Sequence, residues 1–223
     1  MYNLQLYDHL LQFPLFQGLS RAELLQMAGN TKFGFLKMPS GKTVISDGAA
    51  CTQLFFLIDG SLTLTTSSDD HGYSITEHLS APWLLQPEAL FGLSPRYSST
   101  ATVATHSHFI TLTKDEVLRL LDDFLIVRLN YLNLMATLAQ RRNRQSWHRN
   151  SPSLRQRIAR FLTDHCAYPA GAKTVHILME RLAVEMNDSR LDVSRALNAM
   201  QADGLLTLHR GRIEVPLLER LFM

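Results

Sequence analysis

The chain has 223 residues, of which 46% are hydrophobic and 19% are charged, with a formal net charge of +2. This is an ordinary globular composition and not that of a disordered chain. Because domains cluster at about 100–150 residues, the length favours two domains. The sequence has neither an apolar run approaching the ~20 residues that span a bilayer nor a basic amino-terminal region, so we expect a soluble cytoplasmic protein without a membrane partner.

The charge is unevenly distributed along the chain. Residues 1–123 carry 7 basic and 12 acidic side chains, residues 124–160 carry 8 and none, and residues 161–223 carry 7 and 8. The three segments therefore have charges of −5, +8 and −1. The positive potential is concentrated in the middle of the chain.

A β-rich segment follows short helices predicted in residues 4–30. From Phe33 to Thr113, apolar runs with Thr and Val are interrupted by turn residues every 8–12 positions. This spacing is typical of antiparallel strands in a sandwich or barrel. Residues 54–58 and 61–65 flank Asp59-Gly60, and this pattern predicts a tight β-hairpin.

A long helix is predicted after the strands. Capping boxes are expected at Ser20-Glu23 and at Thr113-Glu116, and the second begins a helical period without Gly or Pro up to Pro152. The helix has two apolar stripes, one of Val127, Tyr131, Leu134 and Leu138 with coiled-coil spacing, the other of Leu125, Leu129, Leu132 and Ala136. One stripe can lie on the β domain and the other on a partner helix, so a homodimer is expected.

Residues 179–198 fit the requirements of a helix-turn-helix motif. Ala183 supplies the small residue where two helices cross, Asn187 tolerates a left-handed turn, and Ser189 is an N-cap. Asp188 stands where an apolar residue is more usual, and its side chain can bond the turn backbone instead. The second helix is therefore expected to begin at Arg190.

The amino-terminal part of that second helix is predicted to contact DNA. Arg190 and Arg195 can each bind guanine O6 and N7, while Asp192 can accept from cytosine N4. Residues 205–215 alternate like a hairpin with Gly211 at its turn, which indicates a wing. The serines suit phosphate oxygens, as do the arginines of the wing tip. The full predicted set is Ser189, Arg190, Leu191, Asp192, Ser194, Arg195, Arg210 and Arg212.

The order of these parts resembles the Crp/Fnr family of bacterial transcription regulators. The resemblance rests on residues 13–20, residues 54–60 and, most specifically, residues 189–197. By resemblance Arg190 and Arg195 match two base-reading positions of the family. Leu191 stands where the family has an acidic residue, so the DNA half-site can differ from the family's best-known one. The leucine side chain could instead contact a thymine methyl group.

The resemblance implies an α+β fold with three parts. These are an eight-stranded jelly-roll (double-stranded β-helix) sensor in residues 1–114, a dimerisation helix in residues 115–150, and a winged helix-turn-helix in residues 151–223. It implies a non-enzymatic regulator that responds to an unknown small-molecule effector. The implied partners are a second copy, pseudo-palindromic promoter DNA and RNA polymerase.

The cyclic nucleotide pocket of the family is expected to be degenerate here. Family members hold the phosphate with a Gly-Glu turn and with an Arg before a Ser/Thr-Ala pair. In this sequence Pro87 replaces the Gly and lacks an N–H, and Ser99 replaces the Arg. The candidate effector residues are therefore Glu88, Arg96, Ser99 and Thr100.

Other sensing cofactors require cysteine or histidine ligands. Cys51 and Cys166 are too few for an iron–sulfur cluster within one chain. Haem sensing stays open through a sensor histidine, for which the candidates are His71, His78, His106 and His108. His106 and His108 would share a strand face, but no third metal ligand lies nearby in sequence. The alternative hypothesis is a jelly-roll small-molecule-binding module or metalloenzyme with a carboxy-terminal protein-interaction domain.

Overall fold

The computed structural model describes residues 2–146 and 153–222, which form two compact units. The first unit comprises residues 2–62 and 79–146, and the second comprises residues 63–78 and 153–222. The predicted boundary at residues 150 and 151 lies outside the described residues. No helix in the described ranges is both long and apolar enough to cross a membrane.

The elements follow the predicted order of helices, strands, helices and a winged helix. The helices are α1 (Tyr2–Leu10), α2 (Arg21–Asn30), α3 (Lys114–Asp123), α4 (Leu125–Ser146), α5 (Leu154–Asp164), α6 (Met179–Met186) and α7 (Arg190–Ala202). The strands are β1 (Gly34–Met38), β2 (Thr43–Ile45), β3 (Gln53–Asp59), β4 (Ser61–Ser67), β5 (Tyr73–Ser80), β6 (Trp83–Leu85), β7 (Thr100–Val103), β8 (Ser107–Thr113), β9 (Lys173–Ile177), β10 (Thr207–His209) and β11 (Arg212–Val215). Eight strands thus precede α3 in the described chain, as the jelly-roll prediction requires.

The first unit contains an antiparallel sheet in the order β1-β8-β3-β6, and β2 pairs with β7. Strand β3 is central in that sheet, and four consecutive residues, 54–57, are buried because both of its faces are covered. Phe56 is fully buried and meets the Phe13 ring edge-on at 5.0 Å. The segment between α1 and α2 therefore closes one side of this core.

The predicted hairpin at Asp59-Gly60 is wrong. Strand β3 pairs with β6 and β8, whereas β4 belongs to a different sheet. Gly60 has φ +94°, and a Cβ there would lie 2.3 Å from Ser107 Oγ and 2.6 Å from the His106 carbonyl oxygen. The glycine is thus required by a close backbone approach where the chain leaves one sheet, and not by a two-residue hairpin turn.

The predicted long helix is interrupted at Phe124. This residue is extended (φ −123°, ψ 103°) and only 4% exposed, and it separates α3 from α4. Burial of the ring outweighs the uninterrupted helical propensity around it. The predicted capping box at Thr113 is only half formed, because the Glu116 carboxylate accepts from the Lys32 amide and pairs with Arg119. The capping box at Ser20 and Glu23 is complete, as predicted.

Helix α4 buries one of its two apolar stripes and exposes the other. Val127 and Tyr131 are 1% and 6% exposed within their own unit. By contrast, Leu125, Leu129 and Leu132 are 61%, 49% and 57% exposed. The first half of the stripe with coiled-coil spacing therefore packs on its own chain, while Leu134 and Leu138 are half-buried, and the leucine stripe is the one left uncovered.

The second unit is a winged helix extended by strands from the amino-terminal half of the sequence. Its strands lie in the order β10-β11-β9-β5-β4, so β9 has β11 on one side and β5 on the other. Its core includes Ile75 of β5 together with residues from α5, α6 and α7. Residues 63–78, which the sequence analysis assigned to the sensor, thus pack with residues 153–222.

Candidate functional site

The helix-turn-helix motif is formed by α6, a three-residue turn and α7. Asn187 has φ 47° and ψ 52°, the predicted left-handed conformation, and its N–H bonds the Val184 carbonyl at 3.0 Å. Asp188 accepts a hydrogen bond from the Ser189 amide at 2.8 Å. Asparagine tolerates this backbone at low cost, and Asp188 satisfies a turn N–H, so the departure from the usual apolar residue is accommodated.

Ser189 caps α7, which begins at Arg190 as predicted. Its Oγ accepts from the Asp192 amide at 3.1 Å and donates to Asp192 Oδ2 at 2.6 Å. The side chains of Ser189 and Asp192 therefore already hydrogen-bond each other at the start of α7, and a DNA contact by either would compete with the cap. Beneath them, α6 and α7 share a buried core that includes Leu182, Met186, Val193 and Leu197, with Ala196 partly buried.

The exposed face of α7 carries the predicted base-reading arginines. The side chains of Arg190 and Arg195 are 69% and 70% exposed. Arg190 pairs with Glu180 at 3.2 Å and Arg195 with Asp192 at 3.4 Å. Exposed pairs of this kind contribute only about 0–1 kcal/mol, so both guanidinium groups can exchange their carboxylate partner for a nucleic acid. Leu191 is also 59% exposed on this helix.

Asn198 is an exposed residue of α7 that the sequence analysis missed. Its amide nitrogen donates to the Ser194 carbonyl at 2.8 Å and lies 3.4 Å from Ser194 Oγ. Ser194 itself is half-buried, so it is less available for a phosphate than predicted. The helical spacing from Arg195 could have identified Asn198, whose amide can bind adenine N6 and N7.

The wing is a hairpin of β10 and β11, as predicted. Arg210 and Gly211 form its turn, and Gly211 has φ +71°. Arg212 pairs with Glu214 at 3.1 Å. Arg210 is exposed and has no ion-pair partner among the described residues. Arg210 is therefore the wing cation with the least competition for a phosphate.

The four predicted effector residues each have a different partner. Glu88 pairs with Arg142 of α4 at 3.2 Å, and Arg96 donates to the Gly48 carbonyl at 2.7 Å. The Oγ1 of Thr100 accepts from the Asp47 amide at 3.1 Å. Ser99 is only 3% exposed, and its Oγ lies 3.0 Å from Gln86 Nε2.

Gln86 is the residue of this region that sequence reasoning missed. It has a left-handed backbone (φ 35°), its Nε2 donates to Ser98 Oγ and Ser99 Oγ, and its Oε1 accepts from the Ser98 amide, all at 3.0 Å. Its amide thus meets the stretch where cyclic-nucleotide-binding relatives have their arginine. The neighbouring Pro87 carbonyl accepts from the buried Tyr131 hydroxyl at 2.9 Å, and burial raises the pKa of Tyr131 to about 12.

The candidate histidines do not gather into a metal site. The His106 and His108 rings are 5.0 Å apart, and His108 Nδ1 lies 3.9 Å from an Asp59 oxygen. Within the described ranges no group of three or more potential metal ligands is present. His71 and His78 are exposed and belong to the second unit.

Two domain models match the chain. The cyclic nucleotide-binding domain matches residues 35–124, and the Crp-like helix-turn-helix domain matches residues 156–222. Together they cover well over half of the sequence. No curated protein is significantly similar to the chain in sequence.

Solved structures share the fold. A protein described as a regulator of the Crp/Fnr family from Eubacterium rectale is 23% identical with a TM-score of 0.51, covering 94% of this chain and 96% of that one. The sensor domain of the transcriptional regulator DNR from Pseudomonas aeruginosa is 20% identical with a TM-score of 0.54, covering 68% of this chain and 98% of that one. The two domain models show that the chain belongs to the Crp/Fnr family of non-enzymatic, DNA-binding transcription regulators.

Proposed function

We propose that this regulator binds a pseudo-palindromic promoter site as a homodimer, with the exposed amino-terminal face of α7 in the major groove. The observation that carries the proposal is the exposure of Arg190 and Arg195 on a helix whose start is capped by Ser189. Arginine there can bind guanine bidentately, and Leu191 can contact a thymine methyl. The two helices of a dimer would enter successive major grooves about 34 Å apart.

The remaining candidates have assigned roles in this proposal. Asp192 would accept from cytosine N4 once its contacts within α7 are exchanged, and Ser189 and Ser194 would bond phosphate oxygens. Arg210 and Arg212 would hold phosphates beside the wing. The phosphate contacts of the serines and of the wing arginines position the protein without specifying sequence, whereas the Asp192 contact would read a base.

Selection from a random duplex library tests the readout. Arg190→Ala and Arg195→Ala are each expected to relax one position of the selected site and to weaken its binding by about 1–3 kcal/mol. Arg220→Ala, which removes an exposed charge outside α7 and the wing, is the matched control and should keep the parent preference. Unchanged preferences in both test variants would refute the assigned roles.

We propose that the uncovered leucine stripe of α4 forms the dimer interface. Leu125, Leu129 and Leu132 recur at helical spacing and are about half exposed or more. Helix α4 has 22 residues, so at 1.5 Å per residue it is about 33 Å long, and the stripe cannot be longer than that. Pairing with the same stripe of a second copy would remove this apolar surface from water.

Sedimentation equilibrium tests the dimer. Leu129→Glu should produce a monomer, because it places a carboxylate at the centre of the paired stripe. Leu93→Glu is the control, since Leu93 is fully exposed outside any helix and should leave the mass unchanged. A dimeric Leu129→Glu variant would refute the interface.

We propose that the sensor does not use a cyclic nucleotide and that its effector is another small molecule. Pro87 has no N–H for the phosphate, and the Gln86 amide already bonds Ser98 and Ser99. Thermal unfolding with cyclic AMP or cyclic GMP should show no stabilisation. A rise in the unfolding temperature that saturates with cyclic nucleotide would refute this. A Soret band in protein produced with haem, lost when one sensor histidine is replaced, would identify haem as the effector group.

We propose the division of roles that the family resemblance implies. Residues 1–114 would act as the sensor, residues 115–150 in dimerisation and residues 151–223 in DNA binding. A regulator of this kind would act in the cytoplasm with RNA polymerase as a partner. Activation and repression are distinguished by transcription from a selected site in vitro.

A further inference from the structure

Strand β5 completes the sheet of the winged helix. It pairs antiparallel with β9 over five residue pairs, from Tyr73 opposite Ile177 to Glu77 opposite Lys173. Ile75 is 2% exposed in the same core as Val175 of β9. Backbone hydrogen bonds along the shared edge of β5 and β9, together with the burial of Ile75 and Val175 in one core, therefore stabilise the pairing.

A buried ion pair fixes this pairing at one end. Glu77 and Lys173 lie 3.0 Å apart, and both side chains are 1% exposed. The Glu77 carboxylate also accepts from the amides of Ala167 at 2.7 Å and Tyr168 at 3.0 Å. Glu77 of β5 thus provides an acceptor for two backbone donors in the loop that follows α5, and its departure would leave a buried cation without its counter-charge.

Strands β4 and β5 are neighbours in the sheet, and residues 68–72 between them form the tip of the β4–β5 hairpin. This tip places an acidic side chain on the helix-turn-helix motif. Asp70 Oδ2 lies 2.6 Å from Arg181 of α6. The Ser68 hydroxyl and the Gly72 amide both donate to Asp70 Oδ1, at 2.8 and 3.0 Å, and together with Arg181 they hold the pKa of Asp70 below its usual value. The carboxylate is therefore both oriented and charged.

Arg181 stands close to the face that would approach DNA. It follows Glu180, the residue that pairs with Arg190 of the recognition helix. In helix-turn-helix complexes the first helix crosses the phosphate backbone while the second enters the groove. A cation at this place is suited to a phosphate. The Arg181 guanidinium, however, already pairs with carboxylate oxygens of Asp70 and Glu185, each at 2.6 Å.

We propose that the β4–β5 hairpin is an autoinhibitory clasp on the winged helix, in which Asp70 withholds Arg181 from a DNA phosphate. The proposal rests on the DNA-binding role proposed above. It assigns Arg181 as a phosphate contact that becomes available when the tip is released. The clasp adds negative charge beside the DNA-facing helices while it is closed, so closure lowers the affinity for duplex DNA.

A pair of neighbouring charge removals tests the contact with Arg181. In the full chain, Asp70→Asn should tighten binding to a labelled random-sequence duplex about fivefold and steepen the logarithmic salt dependence by about 0.9, the value for one added phosphate contact. Asp69→Asn is the matched control, because it removes the same charge from the tip without an observed contact to Arg181. Adding Arg181→Ala to Asp70→Asn should return the salt dependence to the parent value. Equal effects of the two Asp→Asn changes would overturn the proposal.

A disulfide across the strand pair tests the clasp without changing Asp70 or Arg181. Ser74 and His176 are register partners with accessible side chains, so Ser74→Cys with His176→Cys should oxidise to a cross-link in the full chain. The oxidised form should bind the same duplex about fivefold more weakly than its own reduced form. Failure to cross-link, or equal affinity of the two forms, would overturn the clasp. A cross-link formed in a chain that binds no duplex in either form would instead refute the proposed DNA binding, and the inhibitory role with it.

Discussion

The buried pair Glu77–Lys173 is expected to respond unequally to loss of either partner. Lys173→Met leaves a buried carboxylate that still accepts from two amides, so we expect a loss of about 3 kcal/mol in the free energy of unfolding, the lower end for breaking a buried pair. Glu77→Leu leaves a buried ammonium and also removes the carboxylate that accepts from both amides. Because a hydrogen bond to a charged group contributes about 1.5–3 kcal/mol, the loss in this variant should reach about 5 kcal/mol.

The double variant separates the cost of the unpaired ammonium from the loss of the amide acceptor. Glu77→Leu with Lys173→Met has no buried charge but still lacks the carboxylate that accepted from the two amides, so it should be more stable than Glu77→Leu alone. Urea unfolding followed by circular dichroism measures all three free energies. Equal losses in the two single variants would refute the role of the amides. A double variant no more stable than Glu77→Leu would refute the cost of the unpaired ammonium.

Further substitutions test the turns and the helix break. Gly60→Ala should lose about 2 kcal/mol or more, because its Cβ would lie 2.3 Å from Ser107 Oγ on a left-handed backbone; urea unfolding checks this. Phe124→Ala should cost about 3–5 kcal/mol in the same assay through loss of the buried ring that ends α3. Ser189→Ala should lower stability by about 1 kcal/mol, measured by thermal unfolding, through loss of the N-cap of α7. Asn187→Gly should be nearly neutral while Asn187→Val destabilises by about 1–3 kcal/mol, since only the valine is strained at φ 47°.

The features that local sequence determines were predicted correctly. Asn187, Ser189 and Gly211 each act through their own backbone conformation or through a residue three positions away. Such short-range requirements leave a recognisable spacing in the sequence. For this reason the start of α7 and the turn of the wing could be predicted to the residue.

The errors arose where distant parts of the chain decide the outcome. Asp59-Gly60 has the composition of a hairpin turn, but the approach of Ser107 determines why glycine is there. Phe124 lies in a continuous helical pattern that contains no breaker, and burial of its ring ends the helix. Arg142 and Glu88 are 54 residues apart, and nothing in either local sequence indicates their pairing. Tertiary packing overrides local preference in each case.

The pairing of β5 with β9 has a consequence for how this protein can be divided. A fragment that begins after α4 would contain β9 and β11 but not β5, leaving one side of β9 with unpaired N–H and C=O groups. An uncovered strand edge is a template for pairing with other chains, and here it would lie beside the apolar core that Ile75 now covers. An excised DNA-binding region is therefore expected to aggregate, and the smallest well-behaved fragment has to include β5, which lies almost a hundred residues before β9 in the sequence.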